Sequence, residues 1–328
     1  MNPTLEKNFT NQALRRLRLR HIELLQALGE VATVSAAAAK LNLSQPAVSK
    51  MLQEIEEVSQ AQLFYRGRRG IEPSEMGRLL IRHASLTVHQ FDAAGQQLQA
   101  MRLGASALLN VGCSSTMPLL PLAVAMLRKQ MPSLLLRLWD EPPRQLIARL
   151  MAGEIDCALA PLPPDILSSL EVDGLRLQPV ISDWMCVVAS PHHRLAQRDK
   201  LRWSDVVSEQ WVLSPPDGLT RQRFVAVCLD QGLTPPRPAI ECVSFKSLRW
   251  LLRSDPTLLA LTRAYQVMDD VQVGLVKVLP VSPVVELPGV SFITRQGTAA
   301  DPEALSALLE ALKEATKQVA AGVPERLV

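Results

Sequence analysis

The chain has 328 residues, with 35 Lys and Arg against 32 Asp and Glu, 48% hydrophobic and 20% charged residues. That balance is too apolar for a disordered chain and too charged for a membrane-embedded one, and the length suits two or three domains. The net charge of +3 is unevenly placed: residues 1–104 hold 13 basic and 9 acidic side chains, so the whole positive excess lies in the first third.

Residues 1–13 form an N-terminal extension, followed by Arg15, Arg16, Arg18 and Arg20, which occupy the place of any signal-peptide core. No run approaches the roughly 18–20 apolar residues of a membrane helix. Cys113, Cys157, Cys186, Cys228 and Cys242 are odd in number and widely spaced. Free thiols in a reducing cytoplasm are expected, rather than a disulfide framework or a zinc site.

Residues 17–28 carry apolar side chains at mostly helical spacing. Thr33 or Ser35 can cap a second, alanine-dense helix over residues 36–41, and Asn42 with Leu43 makes a short turn. Ser44 can cap a third helix reaching about Val58, with Pro46 in its first turn, where a missing N–H costs nothing. Val48, Met51, Leu52 and Ile55 make its apolar stripe, and Gln45, Ser49, Lys50 and Gln53 its outer face. Helix, tight turn and capped helix describe a helix-turn-helix. Gln matches adenine, Lys donates to guanine or phosphate, and the helix start with Ser44 suits a phosphate oxygen. Residues 63–73 read as two short strands around a glycine turn, a wing carrying Arg66, Arg68 and Arg69. A helix with Gln, Ser and Lys outside could be merely solvated, but the arginine-bearing wing behind it argues against that. The candidate DNA-contacting residues are Ser35, Ser44, Gln45, Pro46, Ser49, Lys50, Gln53, Arg66, Arg68 and Arg69.

Leu41-Asn42-Leu43-Ser44-Gln45-Pro46-Ala47-Val48-Ser49-Lys50, then Glu54-Ile55-Glu56, Leu63-Phe64-Tyr65-Arg66 and Pro73-Ser74-Glu75-Met76-Gly77, resemble the N-terminal winged helix of LysR-type transcriptional regulators. The resemblance covers about 60 residues in unbroken order. It continues more weakly in Ala152-Gly153-Glu154-Ile155-Asp156-Cys157-Ala158-Leu159, similar to an effector-domain strand, and in Ser190-Pro191-His192-His193-Arg194-Leu195-Ala196, similar to the entry of a second lobe. Arg18-Leu19-Arg20-His21-Ile22-Glu23-Leu24-Leu25 with Arg68-Arg69-Gly70 resembles the subgroup regulating sugar-binding-protein and aromatic-acid genes. One departure stands out: where the family usually closes the recognition helix with Leu-Gly, this chain has Ser59-Gln60. Glycine there normally supplies a left-handed cap.

Residues 74–104 read as one long linker helix, roughly 45 Å if fully helical. Leu80, Ala84, Thr87, Phe91, Ala94, Leu98 and Met101 step by alternating four and three, a heptad seam suited to dimerisation. The resemblance implies a dimer of dimers on promoter DNA, with RNA polymerase as a further partner.

From Ala105 onward, short apolar runs alternate with amphipathic helices, the pattern of an α/β fold. Strands are expected at 108–113, 134–139, 155–160, 184–189, 211–213, 239–243 and 290–294, with parallel-sheet character. Helices are expected at 118–130, 144–152, 220–231 and 302–318. The resemblance implies a periplasmic-binding-protein-like sensor: lobe I from residues 105–182 and 270–321, lobe II from 183–269, with crossovers near Asp183 and Asp270. Ser114, Ser115, Thr116 and Glu141 from one lobe, and Ser214, Pro215, Pro216, Gly218, Arg221, Thr262 and Arg263 from the other, are the effector-site candidates. Hydroxyls beside arginine suit a small carboxylate, a sugar or an aromatic acid. His192-His193 lacks further ligands at metal spacing, and Cys113 lacks a resolving partner for redox sensing. No phosphate loop, dinucleotide fingerprint, nucleophile elbow or HExxH is present, so no cofactor, metal or catalytic set is implied. The rival readings are a solute-binding protein without a DNA role, and an α/β enzyme.

Overall fold

The computed structural model describes residues 11–67, 70–114, 119–162 and 174–321. Two compact units divide them: one built on residues up to 104 with 148–155, the other on 105–147 with 156 onward.

The first unit opens with α1 (Asn11–Leu14), α2 (Leu19–Glu30), α3 (Val34–Lys40) and α4 (Gln45–Ser59). Leu24, Leu25 and Leu28 of α2, Ala37 and Ala38 of α3, and Val48, Leu52 and Ile55 of α4 share one core. The alanines let α3 lie close to its neighbours, since they carry nothing beyond Cβ. Thr33 settles the cap of α3: its hydroxyl accepts from Ala36 N at 3.1 Å, and Ser35 lies inside the helix. Asn42 adopts a left-handed φ of 54°, and Leu43 N donates back to Ala38 O at 2.9 Å. This conformation, which asparagine tolerates better than most residues, turns the chain into α4.

The end of α4 explains the missing glycine. Gln60 itself takes the left-handed cap, with φ 51° and ψ 34°. Its N–H donates to Glu57 O, and that of Ala61 to Glu56 O at 3.2 Å, the two bonds of a Schellman ending. The helix therefore stops as a glycine-capped one would, with about 1–2 kcal/mol of conformational cost held at Gln60.

β1 (Phe64–Gly67) and β2 (Gly70–Pro73) pair antiparallel as the wing. Glu56 anchors its base by accepting from Leu63 N at 2.7 Å and Phe64 N at 3.2 Å. The linker helix α5 (Glu75–Arg102) follows at once. Ser74 caps it, accepting from Gly77 N at 3.0 Å while donating to Gln62 O at 2.8 Å. Gly77 is demanded by close approach: a Cβ there would lie 2.1 Å from Leu63 O.

The second unit holds a nine-stranded sheet. Its first part contains β3 (Ala107–Cys113), α6 (Leu119–Gln130), β4 (Leu134–Asp140), the start of α7 (Pro143–Ala152), whose residues from Ala148 on are grouped with the first unit, and β5 (Cys157–Pro161). β3 pairs parallel with both β4 and β5, as the βα alternation requires. A core of Leu109, Val111, Leu120, Ala123, Leu127 and Leu159 is covered by Leu308 and Leu312 of the last helix, α12 (Pro302–Ala321).

The second part contains the end of β6 (Leu175–Ala189), β7 (Leu201–Arg202), α8 (Trp203–Val206), β8 (Gln210–Leu213), α9 (Leu219–Asp230), β9 (Ile240–Glu241), α10 (Phe245–Ser254), β10 (Leu258–Arg263), α11 (Ala264–Gln272), β11 (Lys277–Leu279) and β12 (Val281–Ser282). Met185, Val187 and Ala189 of β6 face one core, and Cys186 and Val188 face another. Burial on both faces is why this run reads as continuously apolar rather than alternating.

Two departures from the sequence reading concern connectivity. The sheet is mixed rather than parallel, because β6 and β13 (Val285–Arg295) run antiparallel to each other and to their other neighbours in the sheet. These two strands belong to both parts of the sheet. β6 runs unbroken through Ile181–Trp184, the stretch that contains Asp183. The return comes later than Asp270: β11 still pairs with Val187–Ala189, and β13 shifts register between Leu287 and Val290. The helix α10, the strand β10 and the helix α11 lie in the stretch for which the sequence indicated no elements.

Candidate functional site

The outer face of α4 is open. Gln45, Pro46 and Lys50 are exposed and Ser49 is half-buried. Ser44 spends its hydroxyl as the helix cap, accepting from Ala47 N at 3.4 Å. Gln53 is exposed, and its amide donates to Glu57 Oε1 at 3.1 Å. Ser35 is exposed in the first turn of α3. The structure thus gathers Gln45, Pro46, Ser49, Lys50 and Gln53 on one helical surface. Arg66 lies on β1 opposite Ile71; Arg68 and Arg69 lie outside the described residues.

A residue the sequence reading did not single out holds this helix in place. His21 accepts from Arg18 N at 3.1 Å through Nδ1, while its Nε2 sits 3.3 Å from Glu54 of α4. The signal was available as a lone histidine in the first turn of an apolar helix, with acidic residues on α4 to meet it.

The linker seam divides into two halves. Ala84 is buried and Leu80 partly buried against the winged-helix core, so these two do not face outward. Thr87 donates its hydroxyl to His83 O at 2.9 Å. Phe91, Leu98 and Met101 are 63%, 62% and 60% exposed, and Ala94 is exposed between them. The first turns complete their own domain, and only the C-terminal part of the stripe is open to a partner.

In the second unit, Ser114 is buried at the end of β3, its N–H donating to Leu159 O at 2.9 Å. Glu141 follows β4, its N–H donating to Cys113 O at 3.2 Å. Ser115 and Thr116 lie outside the described residues. Ser214, Thr262 and Arg263 meet around a cavity of about 190 Å³, together with Thr220, Cys242, Phe245 and Gln266. Ser214 and Thr220 hydroxyls lie 3.2 Å apart, and Thr262 donates to Gln266 Oε1 at 3.2 Å. Gly218 packs behind Ser214, where a Cβ would lie 2.6 Å from its hydroxyl. Pro215 forms the turn beside it, accepting from Gly218 N at 2.9 Å, and Pro216 is exposed. Gln266 was missed because β10 and α11, which bring it there, were not foreseen; Thr220 and Cys242 lie in the helix and strand expected at 220–231 and 239–243 but were not singled out.

Of the two arginines proposed for ligand capture, Arg263 is engaged elsewhere, whereas Arg221 is engaged only in part, its Nη1 being buried without a hydrogen-bond partner among the described residues. Arg221 donates to Pro236 O at 3.4 Å. Arg263 Nε lies 2.6 Å from Asp183, whose side chain is fully buried, and the guanidinium also donates to Pro288 O. Its carbon stands 5.2 Å from the Tyr265 ring. Burial pushes the Asp183 carboxyl up from its ordinary range, and Arg263 is the main opposing influence. Arg263 therefore ties β10 to both crossing strands, at the register break of β13.

His193 is buried, accepts from Leu195 N at 3.1 Å and lies 3.7 Å from Glu209, which also pairs with Arg194. Its burial holds the imidazole below its ordinary value. Among the described residues, no group of three His, Cys, Asp or Glu could hold a metal ion, and no helix is long and apolar enough to cross a membrane.

Residues 19–78 match the helix-turn-helix model of bacterial regulatory proteins of the lysR family, and residues 103–317 match the LysR substrate binding domain. The chain is 33% identical over 232 residues to the HTH-type transcriptional regulator GbpR of Azospirillum brasilense, covering 70% of this chain and 67% of that one. It is 30% identical over 239 residues to the HTH-type transcriptional regulator YdcI of Escherichia coli, covering 72% and 76%. Its fold is similar to full-length OxyR from Pseudomonas aeruginosa, with a TM-score of 0.58 at 18% identity, covering 90% and 97%. The chain belongs to the LysR family: it is a DNA-binding transcriptional regulator with a C-terminal effector-binding domain.

Proposed function

We propose that this regulator reads promoter DNA through α4, with Gln45, Pro46, Ser49, Lys50 and Gln53 in the major groove. Ser35 and Ser44 lie at helix starts suited to phosphates, and Arg66, Arg68 and Arg69 serve on the wing. The observation that carries this reading is the open polar face of a capped helix entered by the Asn42 turn. The protein works in the cytoplasm as a dimer of dimers, with α5 joining two chains through Phe91, Ala94, Leu98 and Met101, and RNA polymerase is its further partner. Residues 14–73 form the DNA-binding domain and 74–104 the linker. Lobe I is residues 105–182 with the part of β13 beyond Val290 and α12, and lobe II is what lies between.

The effector sits between the strand ends carrying Ser114 and Glu141 and those carrying Ser214, Thr220, Thr262 and Gln266, with Ser115 and Thr116, which lie outside the described residues, as further contacts. Of the ligand classes considered, a hydroxylated one is favoured over a carboxylate. The cavity wall offers hydroxyl, thiol and amide groups, while Arg263 is already paired with Asp183 and Arg221 does not line the cavity. Ligand-dependent change then needs only a differential affinity between two states, typically about 1–3 kcal/mol. No catalytic step enters this reading.

A gel shift with the upstream intergenic DNA at several salt concentrations tests the DNA-binding claim. A specific shift that weakens steeply with salt is expected; no discrimination from unrelated DNA contradicts it. A thermal-shift screen of sugars, sugar acids and aromatic acids tests the ligand class, since 100-fold saturation stabilises by about 2.7 kcal/mol.

A further inference from the structure

The segment leading into α2 carries four arginines in six residues, Arg15, Arg16, Arg18 and Arg20, and the first acidic residue after Asn11 is Glu23. All four are exposed, and none forms an ion pair with another described residue. Lys40, by contrast, is paired with Glu30. Exposed cations at this density raise the local positive potential and attract anions.

Its position is fixed relative to the recognition helix. α1 packs on α4. At the start of α2, His21 joins Arg18 N to Glu54 of α4. Glu54 follows Lys50 by one helical turn, so the two share a flank of α4. The arginines therefore stand beside the Lys50 edge of the DNA-reading surface. Residues 15–18 also precede the part of the chain that matches the helix-turn-helix family, which starts at residue 19.

We propose that Arg15, Arg16, Arg18 and Arg20 form an arm that binds the phosphate backbone flanking the site read by α4. This rests on the DNA-binding reading above. Guanidinium groups can chelate phosphate through two N–H donors, and an arm of this kind lends affinity without reading sequence. Each phosphate neutralised steepens the fall of log K with log salt by about 0.9.

The test is fluorescence anisotropy of the full-length protein with duplexes from the upstream intergenic DNA and with unrelated DNA, across a salt series. Replacing all four arginines by Gln should flatten the slope by about 2–4 per protomer. It should weaken binding roughly tenfold or more to both duplexes, and leave their ratio and the melting temperature unchanged. The double variant Arg15→Gln/Arg16→Gln carries the same test, with half the effect, if the quadruple variant does not fold. An unchanged slope in either folded variant overturns the arm while leaving the reading of α4 intact. A loss confined to the specific duplex also overturns it, because backbone contacts carry no sequence preference. If the unaltered protein shows no salt-dependent binding to either duplex, the DNA-binding reading falls, and the arm with it.

Discussion

Replacing Arg263 with Met leaves the Asp183 carboxylate fully buried without its countercharge. Removing one partner of a buried ion pair costs about 3–5 kcal/mol. For a domain of this size each kcal/mol moves the midpoint by about 2–4 °C, so the effector-domain transition should fall by roughly 6–20 °C at neutral pH. The pH dependence gives the mechanism. Burial already raises the Asp183 carboxyl above its unfolded value, and Arg263 is the largest influence holding it down. Without Arg263 the folded value rises further. A raised carboxyl contributes stability that is fully present below the unfolded value of about 3.9 and is lost as pH climbs through the folded one. The deficit of Arg263→Met relative to the unaltered protein should therefore be small near pH 4 and complete by pH 8. Adding Asp183→Asn removes the stranded charge, keeps an acceptor for the neighbouring backbone N–H groups, and should recover most of the loss. Thermal melts of all three proteins from pH 4 to 8 decide it. A deficit that is flat with pH, or below about 1 kcal/mol at neutral pH, refutes the reasoning.

Three other outcomes are expected. Gln60→Gly should stabilise the winged helix by about 0.5–1 kcal/mol, because relief of the left-handed strain outweighs the added freedom of the unfolded chain; slower hydrogen exchange at the start of the wing would show it, and no change would contradict it. Gly77→Ala should destabilise the same unit by several kcal/mol, since its Cβ would meet Leu63 O at 2.1 Å; an unchanged melt would contradict the close approach. Cys242 is half-buried while Cys113, Cys157, Cys186 and Cys228 are buried, and burial raises the Cys157 and Cys228 thiols and takes that of Cys186 up to about 12. A thiol reagent should therefore modify Cys242 well before the rest, and an effector in the adjoining cavity should slow that reaction; equal labelling of several cysteines would contradict it.

Much of the helix-turn-helix was legible in sequence because its signals are local: an asparagine turn, a serine cap, a proline in the first turn and a period-3.6 stripe. Local signals also gave the limits of α5, through Ser74. What α5 packs against was not local. Leu80 and Ala84 fit a heptad, but the core of their own domain takes them first. In the sensor, alternation of apolar runs with helices gave β3, β4, β5 and α12. It hid the passage of β6 and β13 across both parts of the sheet, because strand direction leaves no trace in periodicity. It also gave no warning that Arg263 faces Asp183, some eighty positions earlier, rather than a ligand. A buried arginine and a ligand-binding arginine look alike until the acid that neutralises one of them is located.

The most direct measurement is a footprint on the upstream intergenic DNA with the unaltered protein and with Gln45→Ala/Ser49→Ala. The account predicts a discrete protected site for the first. For the variant it predicts loss of that site, with oligomeric state and salt-dependent binding to unrelated DNA retained. An identical footprint from both proteins would contradict the assignment of α4 as the reading element.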